Sequence, residues 1–509
     1  MTIQLDGDSL TLGQIHQCAY HNEPAVISER GWNNLIRSRQ DLDAVIASKK
    51  SIYGINTGFG IFSEKLIPIT QAQKLSRNLI LSHAVGTGEP LALEIVRAAM
   101  LIRANTLAKG YSGITPEIVE TLIEMLNKNV LPYIPSQGSL GSSGDLSLLA
   151  HMTLVLSRDE EDQDEFSGKA YVDGRLISGK QAMLTKGIER KVLGYKDGLA
   201  LINGATFSCA VGALLAVIAE KLVDLADTIT GMSMEALHGC SSALDERIHK
   251  VRGHSGQMIS AKQIAQAING STLVDCEHKV QDAYSLRCAP QVHGAIRDTI
   301  SNVKTIIETE ANAATDNPLI FNDSDVISGG NFHGEPIGFG MDFLAIALAE
   351  LGAISERRIF RLLDPCLSNG LPPMLVHDED QSGLNSGLMM PHYTAVSLVL
   401  ENQTLAHPDS VHSLPTSGEQ EDHNANSMTA ARHAWQVYQN IVKVLTIEAF
   451  TAAHAIDIRK SKQPGVVLGT GTNQLYQSIR NVCPYKNQDT LWSDELERLE
   501  QYFRTTLLS

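Results

Sequence analysis

The sequence predicts a mainly α-helical protein, an elongated multi-helix bundle with a small, irregular N-terminal part that contains a hairpin. Apolar residues recur with helical spacing in long segments through the second half of the chain. Helices that are long and apolar on several faces bury those faces against one another, often across subunits. A convincing strand pair is predicted only at 171–177, around Asp173-Gly174. The long periodic segments are 206–228, 295–314, 337–363, 390–405 and 429–457.

The N-terminal part is predicted to alternate helices with loops. Helical periodicity covers two segments within 10–50 and returns at 70–84 and at 91–109. Another helix is predicted to begin at Pro116 with Thr115 as its N-cap, because proline suits the first helical position.

Two contrasting segments follow that helix. An apolar helix is predicted over 146–156. Six of the seven residues from 159 to 165 are acidic, which predicts a solvated surface loop rather than a metal site.

Composition and charge describe an ordinary globular chain. Of 509 residues, 43% are hydrophobic and 19% are charged, which is ample material for a core. The net charge of −16 argues against non-specific binding to nucleic acids or anionic membranes. Seven scattered cysteines without a CxxC pair favour a reducing compartment over a disulfide framework.

The N-terminus and the most apolar run predict a soluble, cytoplasmic protein. Residues 1–6 lack a basic region and a long apolar region, so a signal peptide is not expected. The apolar run 207–219 is shorter than the roughly 18 residues of a membrane span and ends at Glu220-Lys221. It therefore predicts a buried core helix.

The stretch 138–146 holds three glycines and three serines in nine residues. Because glycine has no Cβ, such a bend lets the backbone fold back on itself. From the residues alone, it is either a plain loop before a helix or part of a serine hydrolase that uses Ser143, Asp145 and His151. The pattern G-x-S-x-G is absent, since Asp145 stands two residues after Ser143.

Three other polar segments are candidates for chemistry. Tyr53 lies in a glycine-rich loop and would need a pKa below the value of a free phenol, about 10, to act as a base. Arg287, flanked by small and apolar residues, pairs either with a protein acid or with a substrate carboxylate. The cluster 420–423 has one histidine and no spaced partner, so no metal site is predicted.

Seven short segments between residues 10 and 480 resemble the family of aromatic amino-acid ammonia-lyases and aminomutases, most closely its members that act on histidine. Each segment is modest alone, but the shared order makes the resemblance specific. The resemblance implies the helical fold of the fumarase/aspartase-like superfamily. The segments are YGINTGFG at 53–60, GSLGSSGDL at 138–146, GLALING at 198–204, QDAYSLR at 281–287, TDNP at 315–318, GGNFH at 329–333 and QEDH at 420–423.

The resemblance implies that the bend is the precursor of a cofactor. In this family a small-Ser-Gly tripeptide loses two waters and cyclises autocatalytically to 4-methylidene-imidazol-5-one (MIO). The matching residues are Ser142, Ser143 and Gly144, and no dissociable cofactor is expected. The substrate amine would add to the MIO methylidene, and Tyr53 would remove the β-proton as the catalytic base.

The other matched residues receive supporting roles from the resemblance. Arg287 would pair with the substrate carboxylate and fix its orientation. Asn203 and Tyr284 would support that carboxylate and the MIO oxygen. Gln281 would lie nearby, and Phe332 would line the pocket.

Two matched positions imply a histidine substrate. Ser82-His83 occupies the selectivity position at which histidine lyases carry Ser-His. Glu421 matches the glutamate of the histidine enzymes, whereas the tyrosine and phenylalanine types usually have glutamine there. A carboxylate can accept an imidazole N–H, but a phenyl ring leaves it desolvated without a partner.

The implied activity is elimination of ammonia from L-histidine to give trans-urocanate. The alternatives are an MIO-dependent lyase for tyrosine or another aryl amino acid, a 2,3-aminomutase, and a catalytically silent helical scaffold in which 142–144 never cyclises. The chain departs from the family pattern at Ser142, at Leu148 and at Asn424-Ala425-Asn426.

Three domains are predicted: an N-terminal MIO-bearing domain at 1–200, a central bundle of long helices at 201–480 and a helical tail at 481–509. The resemblance implies a homotetramer in which Tyr53, Tyr284 and the bend meet across subunit boundaries. The expected partners are a small amino-acid substrate and further copies of the chain, without nucleic acid or membrane.

Overall fold

The computed structural model describes residues 2–47, 55, 57–58, 60–62, 65–277, 279–418 and 420–508. Within these residues the chain forms eighteen α-helices and eleven short strands, so the mainly α prediction is confirmed. Helices of the first half are α1 (Leu12–His21), α2 (Glu29–Ala47), α3 (Ala72–His83), α4 (Leu93–Ala108), α5 (Pro116–Asn127), α6 (Leu146–Leu156), α7 (Gly179–Thr185), α8 (Asp197–Ile202) and α9 (Thr206–Ala236). Those of the second half are α10 (Glu246–Arg252), α11 (Ser255–Ala267), α12 (Tyr284–Arg287), α13 (Ala289–Ala311), α14 (Glu335–Leu363), α15 (Met389–Leu405), α16 (Ser427–Lys462), α17 (Thr470–Val482) and α18 (Trp492–Leu508).

The strands form five small sheets, paired β1–β2, β3–β5, β4–β7–β8, β6–β9 and β10–β11. The hairpin predicted at 171–177 is present, and Val172 pairs with Arg175 across a turn in which Asp173 and Gly174 both have positive φ. The expectation that it is nearly the only strand pair was wrong, because the other strands are too short to show a period of two. The strands are β1 (Ile3–Leu5), β2 (Ala25–Ile27), β3 (Thr87–Pro90), β4 (Leu131–Pro132), β5 (Pro135–Gln137), β6 (Ser157–Arg158), β7 (Lys169–Val172), β8 (Arg175–Ser178), β9 (Lys191–Val192), β10 (Leu319–Ile320) and β11 (Val326–Ile327).

The predicted long helices are α9, α13, α14, α15 and α16, and each begins within a few residues of the predicted segment. The run 207–219 of α9 is buried almost throughout, as expected of a core helix. Among the described helices, α14 is long and apolar enough to span a membrane, with a mean hydropathy of 1.7 over its most apolar window. The protein itself buries 67% of that window.

Two compact units divide the chain, and each is assembled from three separate stretches. The first unit comprises Met1–Val217, Val303–Asp342 and Pro408–Arg432. The second comprises Ile218–Asn302, Phe343–His407 and His433–Ser509. The domain boundaries 1–200, 201–480 and 481–509 remain a prediction.

Helix α4 is buried in the first unit over nearly its whole length, and its polar side chains bind backbone carbonyls there. Arg97 donates to the Cys18 carbonyl at 2.8 Å, and Asn105 donates to the Ala311 carbonyl at 3.0 Å. The guanidinium of Arg103 is enclosed completely and donates to the Ala200 carbonyl, on α8. Burial lowers the pKa of Arg103 to about 10. These bonds satisfy polar groups that would otherwise be costly to bury.

In the second unit, a buried ion pair links the long helices α14 and α16. Arg358 binds both carboxylate oxygens of Glu448, at 2.5 and 2.9 Å, and neither side chain is exposed. The hydroxyls of Ser233 and Ser355 also donate to that carboxylate, at 2.7 and 2.6 Å. Arg358 further donates to the Ser285 carbonyl of α12 at 3.3 Å. The pair therefore supports the short helix that carries Tyr284 and Arg287.

We expect Arg358→Met to lower the free energy of unfolding by about 3–5 kcal/mol, because Glu448 would keep a buried charge without its counter-ion. Urea unfolding followed by circular dichroism measures the loss. The double variant Arg358→Met/Glu448→Leu is the control and should recover most of the stability, since an apolar pair of similar volume replaces buried charges at little cost. A double variant less stable than Arg358→Met would contradict this account.

Candidate active site

Helix α8 is held at both ends by buried charges of the first unit, and this fixes the residue that follows it. At its start, the Lys196 ammonium contacts Asp316 at 2.5 Å, and both side chains are almost completely buried. At its end, Arg103 binds the Ala200 carbonyl. Asn203 comes directly after the helix and is itself 4% exposed.

The backbone of the glycine-serine bend pairs with the segment after α8. Gly144 forms a parallel bridge with Gly204, and the Asp145 amide donates to the Gly204 carbonyl at 2.9 Å. Gly144 has a φ of +74°, and a Cβ on it would lie 2.0 Å from the Gly204 carbonyl carbon. Only glycine fits at position 144 for both reasons.

Two donors converge on one oxygen of the bend. The Asn203 Nδ2 donates to the Ser143 carbonyl at 2.9 Å, and the Gly204 amide donates to the same oxygen at 3.3 Å. Fixed donors of this kind stabilise negative charge on a carbonyl oxygen. The Asn203 Oδ1 is buried and has no hydrogen-bond partner among the described residues, so one side of this amide is free for a ligand.

Asp145 anchors the bend and is not available to activate Ser143. Its carboxylate accepts hydrogen bonds from the Ser139 hydroxyl at 2.7 Å and from the Ser208 amide at 2.9 Å. Burial raises the pKa of Asp145, while these hydrogen bonds lower it. The His151 Nε2 accepts from the Gly86 amide at 3.1 Å. The serine-hydrolase interpretation was therefore wrong.

Glu421 faces the bend from the loop before α16. Its Oε1 accepts a hydrogen bond from the Ser143 hydroxyl at 3.0 Å, and its Oε2 accepts from the Thr416 hydroxyl at 3.3 Å. His83, the last residue of α3, bonds the Ser82 hydroxyl through Nδ1 at 3.0 Å. Burial lowers the pKa of His83, and the charge of Glu421 partly offsets that shift. The imidazole is therefore mostly neutral at pH 7.

The first unit contains seven of the predicted residues, in or near the bend. Ser142 is 9% exposed and directly precedes Ser143, which binds Glu421 and Asn203. Phe332 is half-buried in a turn that ends at Gly334, whose amide donates to the Gly141 carbonyl at 2.9 Å. The predicted residues of this unit are His83, Ser142, Ser143, Gly144, Asn203, Phe332 and Glu421, of which Phe332 is linked to the bend through its own turn.

The second unit contains Gln281, Tyr284 and Arg287, on and just before α12. Tyr284 is 70% exposed, and the Arg287 guanidinium lies 4.7 Å from the centre of its ring. The Arg287 Nε is buried and finds no hydrogen-bond partner in the described part of the chain. An unpaired buried guanidinium N–H is suited to an anionic ligand. Gln281 is exposed, and Tyr53 lies outside the described residues, so its role remains a prediction.

Sequence reasoning missed the residues that hold the site in place. Gly204 ends the GLALING segment, in which nothing indicates that its amide donates to the bend, and its pairing with Gly144 spans 60 residues. Arg103 and Lys196 carried no local signal, because nothing in a helical pattern marks a charge as buried. Leu148, one of the departures from the family pattern, is completely buried in the core. Among the described residues, no cluster of three or more histidine, cysteine or acidic side chains could hold a metal.

Comparison with known proteins gives consistent matches over nearly the whole chain. The family model of aromatic amino acid lyases matches residues 10–481. A histidine ammonia-lyase from Caldanaerobacter subterraneus subsp. tengcongensis is 47% identical, over 97% of this chain and 94% of the relative. The crystal structure of histidine ammonia-lyase from Trypanosoma cruzi superposes with a TM-score of 0.89 at 37% identity, covering 100% of this chain and 94% of that one. The phenylalanine aminomutase of Pantoea agglomerans superposes with a TM-score of 0.92 at 33% identity, covering 100% and 99%.

We expect Glu421→Gln to lower the pKa of His83 further, because the carboxylate that attracts the imidazolium is removed while burial persists. Histidine-labelled NMR follows the titration, and His83→Gln assigns the signal. The pKa of His83 in the folded protein lies below its ordinary value of 6.5. Between these two pH values the unfolded chain binds more protons than the folded protein does, so the free energy of unfolding rises with pH there. Glu117→Gln, on the exposed face of α5, is the control. A pKa that stays unchanged or rises in Glu421→Gln would contradict the observed arrangement.

Proposed function

This chain belongs to the aromatic amino acid lyase family, and we propose that it is a carbon–nitrogen lyase that eliminates ammonia from L-histidine to give trans-urocanate. The observation that supports histidine as the substrate is the position of Glu421, whose carboxylate contacts the Ser143 hydroxyl at 3.0 Å. A carboxylate at this position can accept the N–H of a substrate imidazole. A phenyl ring would leave the same carboxylate without a partner, at a cost in binding.

We propose that Ser142, Ser143 and Gly144 cyclise to MIO, which supplies an electrophile that no ordinary side chain provides. The bend fits this group, because Gly144 occupies a backbone position from which the close approach of Gly204 excludes any Cβ. The serine side chain at 142 is not consumed in the cyclisation, so its difference from the usual alanine is compatible with the chemistry. Ser143 supplies the hydroxyl that must leave as water.

Asn203 and Gly204 would stabilise the carbonyl oxygen of Ser143 during the reaction. Both already donate to that oxygen, at 2.9 and 3.3 Å. Loss of one such donor typically costs about 10²–10³ in kcat. Their geometry is fixed before any substrate arrives, because α8 is held by Arg103 and Lys196.

We propose that Arg287 binds the substrate carboxylate. A carboxylate would satisfy the buried Nε of Arg287, which has no partner among the described residues. The Tyr284 ring stacks against the guanidinium at 4.7 Å and restricts its orientation. Tyr53 is proposed as the base that removes the β-proton, and Gln281 as a neighbour of the bound substrate, both by resemblance to the family.

We further propose that the protein is a homotetramer whose active sites draw Tyr53, Tyr284 and the bend from different subunits. Large apolar side chains are exposed along one face of α14 and along α15, which supports an apolar interface with another copy. Spacing of three or four residues places such side chains on one face of a helix. On α14 they include Phe339, Phe343 and Ile346, and on α15 they include Met390, Tyr393 and Leu400.

A cytoplasmic location is part of the proposal. All seven cysteines are unpaired, and Cys276 and Cys366 are exposed thiols, which supports a reducing compartment. The net charge of −16 disfavours nucleic acids and anionic membranes as partners. The expected partners are therefore an amino-acid substrate and other copies of the chain.

Mass spectrometry of the intact protein tests MIO directly. We expect the mass to lie two water molecules below that of the sequence, because cyclisation and dehydration each release one. Ser143→Ala should have the full mass of its sequence and no turnover, since it lacks the hydroxyl that leaves. Ser142→Ala is the matched control and should retain both the mass deficit and the activity. An unmodified wild-type mass would refute MIO formation.

Turnover of histidine, tyrosine and phenylalanine, followed as ultraviolet absorbance of the conjugated acrylate, tests the substrate. We expect histidine to be preferred. Glu421→Gln should lower kcat/KM for histidine about ten- to hundredfold, which corresponds to the 1.5–3 kcal/mol of a hydrogen bond to a charged group. Glu117→Gln should leave the rate unchanged. Faster turnover of tyrosine than of histidine would contradict the assignment, and accumulation of a β-amino acid would indicate an aminomutase.

A further inference from the structure

Glu421 lies on the long loop before α16, and the end of this loop is tied to its beginning by Asn426. The Asn426 Nδ2 donates to the Asp409 carbonyl at 3.1 Å and also to the His412 carbonyl. Its own amide donates to the Leu140 carbonyl, in the glycine-serine bend, at 2.7 Å. One residue therefore closes the loop and attaches it to the bend.

Asn424 makes a second closure two residues earlier. Its amide donates to the Ser413 hydroxyl at 2.8 Å, and its Nδ2 donates to the Leu414 carbonyl. The side chain is 1% exposed, and the neighbouring Ala425 is fully buried. The two asparagine side-chain amides together donate to three backbone carbonyls in the first part of the loop. An aliphatic side chain at either position has no N–H to donate.

Between these closures, the tip of the loop presents Glu421 to the bend. The amide of Thr416 donates to the Glu421 carbonyl at 2.7 Å, and the amide of Glu421 donates back at 3.3 Å. The Thr416 hydroxyl holds the Glu421 Oε2 at 3.3 Å, which leaves Oε1 directed at Ser143 at 3.0 Å. The asparagines hold the base of the loop, and the Thr416–Glu421 bridge holds its tip.

We propose that Asn424 and Asn426 are positioning residues that set substrate selectivity by holding Glu421 at the bend. This inference rests on the proposed function, in which Glu421 recognises the substrate imidazole. Both asparagine side chains bond only the loop, and Asn426 also bonds the bend through its backbone amide. In this proposal they act on the substrate through Glu421. Their effect on turnover must therefore disappear when Glu421 loses its charge.

Asn426→Gly removes the side-chain amide without straining the backbone, because Asn426 has a φ of +49° that glycine adopts freely. We expect Asn426→Gly and Asn424→Ala each to lower kcat/KM for histidine about tenfold. In a Glu421→Gln background, the same changes should lower it less than twofold, since coupled residues give non-additive effects. An equal fold-loss in both backgrounds would overturn the proposal.

Asn312→Ala is the matched control for the loss of a partly buried amide. The Asn312 Nδ2 donates to the carbonyls of Leu10 and Glu308 at 2.8 and 2.9 Å, within the same compact unit. The Asn312→Ala variant removes similar hydrogen bonds at a position far along the chain from Glu421. Any loss of kcat/KM in Asn312→Ala should therefore be the same in both backgrounds, whereas coupling to Glu421 as strong as that of Asn426 would overturn the proposal.

Hydrogen exchange with mass spectrometry tests the positioning without any substrate. Asn426→Gly should speed exchange of the peptide 414–423 at least tenfold while leaving the exchange of α4 unchanged. The intact mass of each variant shows whether the two waters were still lost, so failure of ring formation is detected separately. If the wild-type protein released no ammonia from histidine, the proposed function would fail, but the exchange result would still test the closure of the loop. Unchanged exchange in the peptide 414–423 would overturn the positioning role.

Discussion

The close approach of the Gly144 backbone to Gly204 is the constraint on which the site of the first unit depends. A Cβ on Gly144 would lie 2.0 Å from the Gly204 carbonyl carbon, and a Cβ on Gly204 would lie 2.4 Å from the Thr315 hydroxyl. Only two glycines in sequence-distant loops allow this contact. It brings the Gly204 amide to the Ser143 carbonyl and the Asp145 amide to the Gly204 carbonyl. The bend is thus shaped by backbone pairing with another segment, rather than by its own flexibility.

Buried charges hold the other side of this contact in place. Arg103 and the Lys196–Asp316 pair anchor the two ends of α8, and each of these groups carries a large desolvation cost. Burial lowers the pKa of Arg103 to about 10, so the guanidinium stays charged at neutral pH and keeps its bond to the Ala200 carbonyl. An apolar substitute of the same volume could fill the space, but it could not bind a carbonyl at the end of a helix. These charges fix the position of α8 rather than add to the stability of the fold.

Local patterns predicted the helices well and the contacts between distant segments poorly. Apolar periodicity located α9 and α14 because they are long, whereas strands of two residues show no period at all. Thr115 does precede α5, but its hydroxyl donates to Asp197, 82 residues away, instead of capping the helix. The contact between Ser143 and Glu421 spans 278 residues, and only resemblance to the family indicated it. The hydrolase interpretation failed for the same reason, since spacing cannot reveal that Asp145 binds the Ser208 amide, 63 residues away.

In the proposed function, the electrophile and the choice of substrate lie on different segments, and this separation would explain how one fold serves several substrates. The fold is shared with a histidine ammonia-lyase and with a phenylalanine aminomutase, so it does not itself select a side chain. Selection requires a group that gains a partner from one substrate and loses it with another. In the proposed function Glu421 is such a group, and hydrogen bonds within its own loop direct its carboxylate. Under this proposal, a change in that loop would alter which ring is accepted and would leave the pairing of Gly144 with Gly204 intact.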